Sequence, residues 1–326
     1  MKTPIVYTLI SSEKDYFLEE LWVSLYSLRQ FHPEVTVNVL VDEPTKKYLE
    51  RFPELCGMIT NIVVVPVPEN YNAKQRSRVI KTTVRNVIDG AYLFIDTDTV
   101  ICKPLDDIDN LTCDMAAVPD GHLHLSECMF PPTNSVNKIF KTDVSDSKYW
   151  FNSGVMFVAD NELTRKFYKR WNENWTYSCF EKGQSQDQPA LLATDKEFGY
   201  IISELPGIYN AQVAMSLKYF ADAAIVHWWH MSFIENQDYS PFFSLQIYKD
   251  VKTAKGLTAD IKELIMHCKQ SFVSPTMPVG KEHIYFLFSP AGKIFNRIYK
   301  EGGAASFLMN KCAAILEKIH KYTKKK

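Results

Sequence analysis

Two aspartates spaced two residues apart form the pattern in this sequence that points most directly to chemistry. Asp96 and Asp98 follow the apolar run 91–95, which predicts a buried strand. Residues i and i+2 of a strand point to one side, so both carboxylates should project from the carboxyl edge of a parallel sheet, where ligands bind in open α/β folds. Carboxylates this close repel each other unless a cation lies between them, and their oxygens favour Mg²⁺ or Mn²⁺. Such an ion would bind the phosphate oxygens of a diphosphate. A solvated Asp-rich turn is the alternative.

A histidine ends a later apolar run. Residues 223–226 predict a strand that closes with His227, and His230 follows three residues later. Odd spacing on a strand sends the two imidazoles to opposite faces, so at most one of them can join a site with the aspartates. An imidazole beside two carboxylates suits Mn²⁺ somewhat better than Mg²⁺. The alternative is an ordinary surface or core histidine.

The segments that must position these residues alternate between apolar runs and apolar stripes with helical spacing. Apolar runs predict strands, and stripes with helical spacing predict helices between them. In the helix that begins near residue 72, we expect Ile80, Val84, Val87 and Ile88 to face inward. Continuous apolar strands between amphipathic helices indicate an α/β fold with a mostly parallel sheet covered on both faces. The predicted strands are 5–10, 35–41, 62–67, 91–95, 114–118, 150–158 and 223–229, and the predicted helices are 15–31, 44–51, 72–88, 161–176 and 189–194.

Several short motifs follow one another in an order that is typical of one enzyme family. They are Asp15-Tyr16 after the first strand, a helix with Ser24 to Ser27, Arg78 in a later helix, Asp96-Thr97-Asp98, Asn152-Ser153-Gly154, Asp187-Gln188 and Val226-His227. Over residues 1–230 the sequence resembles glycosyltransferase family 8. The resemblance implies the GT-A fold, in which a mostly parallel central sheet is flanked by helices.

The resemblance also implies a role for each motif. The metal ligands would be Asp96, Asp98 and His227, with Asp96 contacting the donor as well. Tyr16 would stack on the nucleobase of a nucleotide-sugar donor, and Arg78 would contact that donor. The substrate-binding turn would be Asn152, Ser153 and Gly154, and the catalytic pair over the anomeric carbon would be Asp187 and Gln188.

Each of these residues also has a structural alternative. Tyr16 could be an exposed helix aromatic, and Asn152 could belong to a plain β-turn. Arg78, Lys81 and Arg85 share one helix side away from the apolar stripe, which could be a solvated face. Asp187 could be a helix N-cap. The family often continues the late His with Gly and then Lys-Pro-Trp, whose Lys touches the diphosphate. Residues 227–233 here read HWWHMSF, so the phosphate-contacting cation stays unassigned.

The function implied is transfer of a hexose, with retention, from a nucleotide-diphosphate sugar such as UDP-hexose to a glycan or lipid-linked saccharide. Asp187 as the general base of an inverting enzyme is an open alternative. A phosphohydrolase that uses Asp96 as nucleophile in a D-x-D-x-[TV] pattern is a second one, although that motif usually follows the first strand. A catalytically dead nucleotide-sugar-binding protein is a third. No Gly-x-Gly-x-x-Gly follows the first strand, which disfavours a dinucleotide oxidoreductase.

Charge separates the end of the chain from the rest. Net charge is −1, which argues against nucleic acid as a partner, but residues 291–326 carry nine Lys or Arg against two Asp or Glu. We expect a catalytic domain over residues 1–285 and a basic amphipathic helical extension over 286–326. With no signal peptide or spanning helix apparent, we expect a cytoplasmic protein whose tail binds an anionic membrane surface. A terminal helix packed on the catalytic domain is the alternative.

Overall fold

The computed structural model describes residues 1–128, 132–228, 240–271, 286–301 and 303–323. The chain divides into two compact units, Met1–Thr276 and Met277–Lys326. The first unit contains all the strands of the described residues. The assignment of residues 1–285 to catalysis and of 286–326 to a separate extension stays a prediction.

The first unit is built on ten strands. Their bounds are β1 Ile5–Leu9, β2 Val37–Val41, β3 Asn61–Val64, β4 Tyr92–Ile95, β5 Thr99–Ile101, β6 Met115–His124, β7 Tyr149–Val158, β8 Ile202–Glu204, β9 Ala211–Gln212 and β10 Ile225–His227. Seven of them form one sheet in the order β3-β2-β1-β4-β7-β6-β8. Four of its six pairings are parallel, and those of β7 with β4 and β6 are antiparallel. The prediction of a mostly parallel sheet is confirmed.

Helices flank this sheet in the first unit, and the second unit is helical in its described residues. Their bounds are α1 Phe17–Phe31, α2 Glu43–Leu49, α3 Pro53–Cys56, α4 Ala73–Val87, α5 Thr133–Phe140, α6 Glu162–Lys182, α7 Gln188–Glu197, α8 Gln246–Ala254 and α9 Ala259–Met266 in the first unit, and α10 Pro290–Glu301 and α11 Gly303–Thr323 in the second. The core between α4, α6 and the sheet contains the fully buried indoles Trp171 and Trp175. In the described part of the chain, no helix combines the length and the apolar character that crossing a bilayer requires.

Helix α4 corrects two expectations. Ile80 and Val84 are buried as predicted, but Val87 is 39% exposed. On the other side of the helix, Lys81 and Arg85 are buried, so a solvated face is wrong for both. The reason is that α4 packs against the sheet and against α6, and so has two covered sides. Arg85 donates hydrogen bonds to the carbonyl oxygens of Ile88 and Gly90, two residues that follow the last residue of α4.

A second, three-stranded sheet was not predicted. Its order is β5-β10-β9, with β10 antiparallel to β5 and parallel to β9. His227 lies opposite Thr99 on one side and opposite Gln212 on the other. The pairing brings the residue that ends β10 next to the turn between β4 and β5, which is the turn that contains Asp96 and Asp98.

Helix α7 has Gln188 at its first position and a buried carboxyl group near its end. Asp195 is 2% exposed, and its Oδ1 accepts a hydrogen bond from the Ile202 amide at 3.1 Å. Burial raises the pKa of Asp195 from 3.8 to about 7. At neutral pH, folding therefore buries this carboxyl group either with a proton on it or with a negative charge. No cation among the described residues pairs with that charge.

Asp195→Asn is expected to raise the melting temperature at pH 8 and to change it little near pH 4. Because folding raises the pKa of Asp195, its contribution to stability is greatest below about pH 4 and falls as the pH rises through about 7. Asn stays neutral and keeps an oxygen for the Ile202 amide. Calorimetric unfolding across this pH range measures the difference.

Asp160→Asn is a matched control of opposite sign. The Gly90 amide donates to Asp160 Oδ2 at 2.7 Å, and this hydrogen bond lowers the pKa of Asp160. Asp160 therefore stabilises the fold above the unfolded pKa, and its replacement should lower the melting temperature at pH 8. If the gain from Asp195→Asn is the same at pH 4 and pH 8, ionisation of Asp195 is not its cause.

Candidate active site

The turn that contains Asp96 and Asp98 is held by backbone and hydroxyl groups of three elements. The Asp96 amide donates to Gly154 O of β7 at 2.7 Å, and Thr99 Oγ1 donates back to Asp96 O at 2.9 Å. Ser24 of α1 reaches the same hydroxyl, with 2.8 Å between Ser24 Oγ and Thr99 Oγ1. The Trp228 amide donates to Asp98 O at 2.9 Å. These bonds fix where both carboxylates project.

Asp96, Asp98 and His227 converge. Their candidate ligand atoms all lie within 4.8 Å of one another, so the three side chains could hold a metal ion. His227 Nε2 is 3.0 Å from Asp98 Oδ1, and His227 Nδ1 is 2.9 Å from Asn210 Oδ1. The Asn210 contact assigns the proton to Nδ1 and leaves Nε2 to face the carboxylates. His230 lies outside the described residues, so the comparison of the two histidines stays a prediction.

Burial and charge act against each other on these groups. Burial is the largest influence and lowers the pKa of His227, but the carboxylates of Asp98 and Asp96 together outweigh it, so the pKa is raised. Burial raises the pKa of Asp96, although Lys81 opposes that effect. Both shifts favour the protonated forms of these side chains in the absence of a bound cation. A divalent cation at this position would compete with the proton on His227.

Two cations of helix α4 face the cluster. Lys81 Nζ is 2.9 Å and 3.0 Å from the two carboxylate oxygens of Asp96, and it is 3.9 Å from Asp187 Oδ2. Arg78 Nε is 3.0 Å from Asp187 Oδ1. Sequence reasoning proposed Arg78 but missed Lys81, although the three-residue spacing that puts both on one helix side was visible.

Asp187 is a buried carboxylate with both oxygens in use. Besides the two cations, Ser153 Oγ donates to Asp187 Oδ2 at 2.7 Å. Burial alone raises its pKa, but Arg78 and then Lys81 more than compensate, and the pKa of Asp187 falls to about 2. Asp187 does stand at the N-cap position of α7, yet its side chain makes no capping hydrogen bond. The alternative interpretation, in which the Asp187 side chain caps the helix, is therefore wrong.

A chain of amides connects His227 with Gln188. Asn210 Nδ2 donates to Asn152 Oδ1 at 3.0 Å, and Asn152 Nδ2 donates to Asp120 Oδ1 at 2.8 Å. Gln188 Nε2 reaches the same Asp120 oxygen at 3.3 Å. Asp120 and Asn210 were missed from sequence. Asp120 follows an apolar run much as Asp96 does, and this pattern could have indicated a site residue. No comparable sequence pattern indicates Asn210.

Gly154 occupies a position that has no space for a side chain. A Cβ atom there would lie 2.5 Å from His227 Cε1, 2.8 Å from Asn152 Oδ1 and 3.0 Å from Asp96 Oδ2. Any larger residue would displace a candidate metal ligand. The Gly154 amide also donates to Asn152 Oδ1 at 2.9 Å, which helps to orient that side chain.

Tyr16 lies at the start of α1. Lys252 Nζ of α8 is 4.8 Å from the centre of its ring, and the same ammonium group donates to Asp15 O. One turn further along α1, Glu20 Oε2 accepts a hydrogen bond at 3.0 Å from Thr97 Oγ1, the residue between the two aspartates. Residues four apart share a helix face, so Tyr16 and Glu20 lie on one side of α1.

Comparisons with known proteins agree on this architecture. The family model for glycosyl transferase family 8 matches residues 8–232, which is more than half of the chain. The glycosyltransferase GlyE of Streptococcus pneumoniae superposes with a TM-score of 0.50 at 14% identity, covering 85% of this chain and 67% of that chain. An active-site mutant of LgtC superposes with a TM-score of 0.50 at 16% identity, covering 84% of this chain and 98% of that chain.

At these identities the two structures show a common fold and carry no information about substrates or residue roles in this chain. No curated protein sequence matches the chain. The family match, the mostly parallel sheet and the paired aspartates beside His227 lead to one conclusion. The chain belongs to glycosyl transferase family 8 and is a glycosyltransferase of the GT-A fold.

Proposed function

We propose that this glycosyltransferase transfers a hexose, with retention, from UDP-hexose to a hydroxyl group of a glycan or lipid-linked saccharide. The observation that carries the proposal is the convergence of Asp96, Asp98 and His227 in a chain of this family. Two carboxylates and one imidazole at the carboxyl edge of the sheet form a site for a nucleoside diphosphate and a divalent cation.

The donor set fits Mn²⁺, with Mg²⁺ as the second choice. Carboxylate oxygens suit both ions, and an imidazole nitrogen favours Mn²⁺. Asn210 already holds His227 with Nε2 toward the two carboxylates, and Gly154 keeps the space beside that ring free. When bound, the ion would neutralise the diphosphate and stabilise UDP as the leaving group.

The groups around Asp120 are suited to the sugar. Carboxylates and amides are the partners that sugar hydroxyls need, and Asn152 and Gln188 both donate hydrogen bonds to Asp120 Oδ1. Asn152, Ser153 and Gly154 connect this group to the metal ligands and to Asp187. We therefore assign the donor sugar to the space beside Asp120.

The state of Asp187 favours retention over inversion. A carboxylate whose pKa is about 2, with both oxygens engaged, is a weak general base at neutral pH. In the proposed reaction the bond between C1 and the diphosphate breaks, and a new bond from the acceptor oxygen to C1 forms on the same face. The acceptor proton passes to the departing phosphate oxygen. Gln188 and the Asp187 carboxylate lie near the positive charge that develops at C1.

Asp98→Asn and His227→Ala are each expected to weaken Mn²⁺-dependent UDP binding by about 10- to 100-fold, at least the loss typical of groups that only support a metal ligand. Titration calorimetry of UDP with Mn²⁺ measures it. Asp222→Asn is the control, because its side chain is 85% exposed, and should bind as the wild type does. Hexose transfer that continues at full rate after chelator treatment would contradict the metal assignment.

Tyr16→Ala is expected to raise the KM for UDP-hexose more than it lowers kcat. A stacked nucleobase is held equally in the ground and transition states, so its loss is a loss of uniform binding. By analogy with base–aromatic stacking, the effect corresponds to roughly 1–3 kcal/mol. Tyr16→Phe keeps the ring and should retain the wild-type KM. An unchanged KM in the Ala variant would remove Tyr16 from the donor site.

We also propose that the second unit attaches the enzyme to the cytoplasmic face of a membrane, where a lipid-linked acceptor would lie. Leu308, Ile315 and Leu316 of α11 are each more than half exposed, and Lys311 stands beside them. Apolar residues edged by lysines are typical of helices that lie in a membrane interface. The side chains of Ile319 and Tyr322, which continue the stripe in the sequence, and residues 324–326 lie outside those described.

Replacing Lys311, Lys318 and Lys321 by Gln is expected to release the protein from anionic vesicles in a flotation assay. Each lysine near an anionic surface adds about 1 kcal/mol to binding. The matched control replaces three exposed lysines of α6, Lys166, Lys169 and Lys182, and should remain bound. Removing residues 291–326 should also release the protein without changing UDP-hexose hydrolysis. Wild-type protein that ignores anionic vesicles at low salt would contradict the proposal.

A further inference from the structure

The chain makes an unusual corner at the residue assigned to the donor sugar. Strand β6 changes register against β7 between Pro119 and His124, and Asp120 lies at the beginning of this irregularity. The next two residues both have left-handed backbones, with φ of 62° at Gly121 and 59° at His122. A residue with a Cβ atom disfavours that region, so His122 holds it only because its surroundings impose it.

Gln212 makes three hydrogen bonds to this corner. The Gly121 amide donates to Gln212 Oε1 at 2.8 Å, and Gln212 Nε2 donates to Pro119 O at 3.1 Å. The Gln212 amide donates to His122 Nε2 at 3.2 Å. Gln212 is fully buried. One side chain therefore holds the backbone on both sides of Asp120 and makes no hydrogen bond to the Asp120 carboxylate itself among the described contacts.

The strand that carries Gln212 connects this corner to the metal ligands. Gln212 pairs with His227 in the register of β9 and β10. Two residues earlier, Asn210 holds His227 Nδ1 and donates to Asn152, which in turn donates to Asp120. The Asp120 carboxylate is thus held by Asn210 through Asn152, and the backbone on both sides of Asp120 is held by Gln212. Both sets of bonds start from residues 210–212.

We propose that Gln212 is a positioning residue for hexose transfer, which fixes Asp120 relative to the metal ligands without touching the donor. The inference rests on the proposed function. Loss of its hydrogen bonds should allow the corner to relax and move the Asp120 carboxylate away from the sugar. UDP, which has no hexose, does not need Asp120, so its binding with Mn²⁺ should be unaffected.

Gln212→Met tests this assignment, because Met keeps the volume of the side chain and removes both of its hydrogen bonds. The rate of UDP release from UDP-glucose and UDP-galactose should fall about 10- to 100-fold, the range expected for a misplacement near 1 Å. The Kd for UDP with Mn²⁺ should stay within twofold. Gln212→Glu keeps an acceptor for the Gly121 amide. Its rate of UDP release should lie between those of the wild type and Gln212→Met.

Asn174→Leu is the matched control for stability. Asn174 is a buried amide of α6 that donates to Thr194 Oγ1 at 3.0 Å and Glu197 Oε1 at 3.2 Å, so its replacement also removes two hydrogen bonds. It should lower the melting temperature about as much as Gln212→Met while leaving the rate of UDP release unchanged.

The outcomes are separable. A Gln212→Met enzyme with a wild-type rate, or one whose UDP affinity falls together with its rate, overturns the positioning role. If Gln212→Met does not fold, the intermediate rate and intact UDP affinity of Gln212→Glu support the role, and a wild-type rate in that variant overturns it. Wild-type protein that does not bind UDP with Mn²⁺ overturns the proposed function itself.

Discussion

Mutual repulsion among the carboxylates at the edge of the sheet is the constraint on which the rest of the site depends. Asp96, Asp98 and Asp187 lie close together, and among the described residues Lys81 and Arg78 form ion pairs with Asp96 and Asp187. Arg78 and Lys81 together neutralise Asp187, whose pKa falls to about 2. Asp96 shares Lys81 with it, and Asp98 has the ring of His227. A divalent cation between the two aspartates of the turn would relieve the repulsion between them.

The connections between His227 and Asp120 are built from neutral amides, which add rigidity without adding charge. Asn152 and Asn210 bridge His227 and Asp120, and each uses both ends of its amide. A buried amide that satisfies its donors and acceptors specifies one arrangement, whereas a further carboxylate would increase the repulsion. Gly154 completes this design by leaving space where His227, Asn152 and Asp96 approach one another most closely.

The sequence predicted six of the seven strands of the large sheet, because their apolar runs are local features, and it missed the three-residue strand β8. Apolar strands followed by amphipathic helices predicted β1 to β4 and their helices close to the observed bounds. Val87 and Arg85 were misjudged because helix periodicity identifies one buried stripe, and α4 is covered on two sides. Of the three-stranded sheet, only β10 was predicted as a strand, because β9 has two residues, and β5 and β10 pair across more than a hundred positions of the chain. The environment of His227 depends on that sheet, and hence Asn210 and Gln212 could not be found from sequence.

The small sheet explains how the two ends of the donor can be held in one frame. Strand β10 ends in His227, on the side of the diphosphate in the proposed complex. Gln212 of β9 and Asn210, which directly precedes β9, face the segment around Asp120, on the side of the sugar. Strand β5 adds the connection to Asp96 and Asp98, because Thr99 is both its first residue and a partner of the turn. Three strands of two or three residues would be marginal alone, but here β5 is held by hydroxyl contacts of α1 and β10 by the backbone of Asp98. In the proposed complex, one braced element therefore sets the positions of the residues at the leaving group and at the sugar.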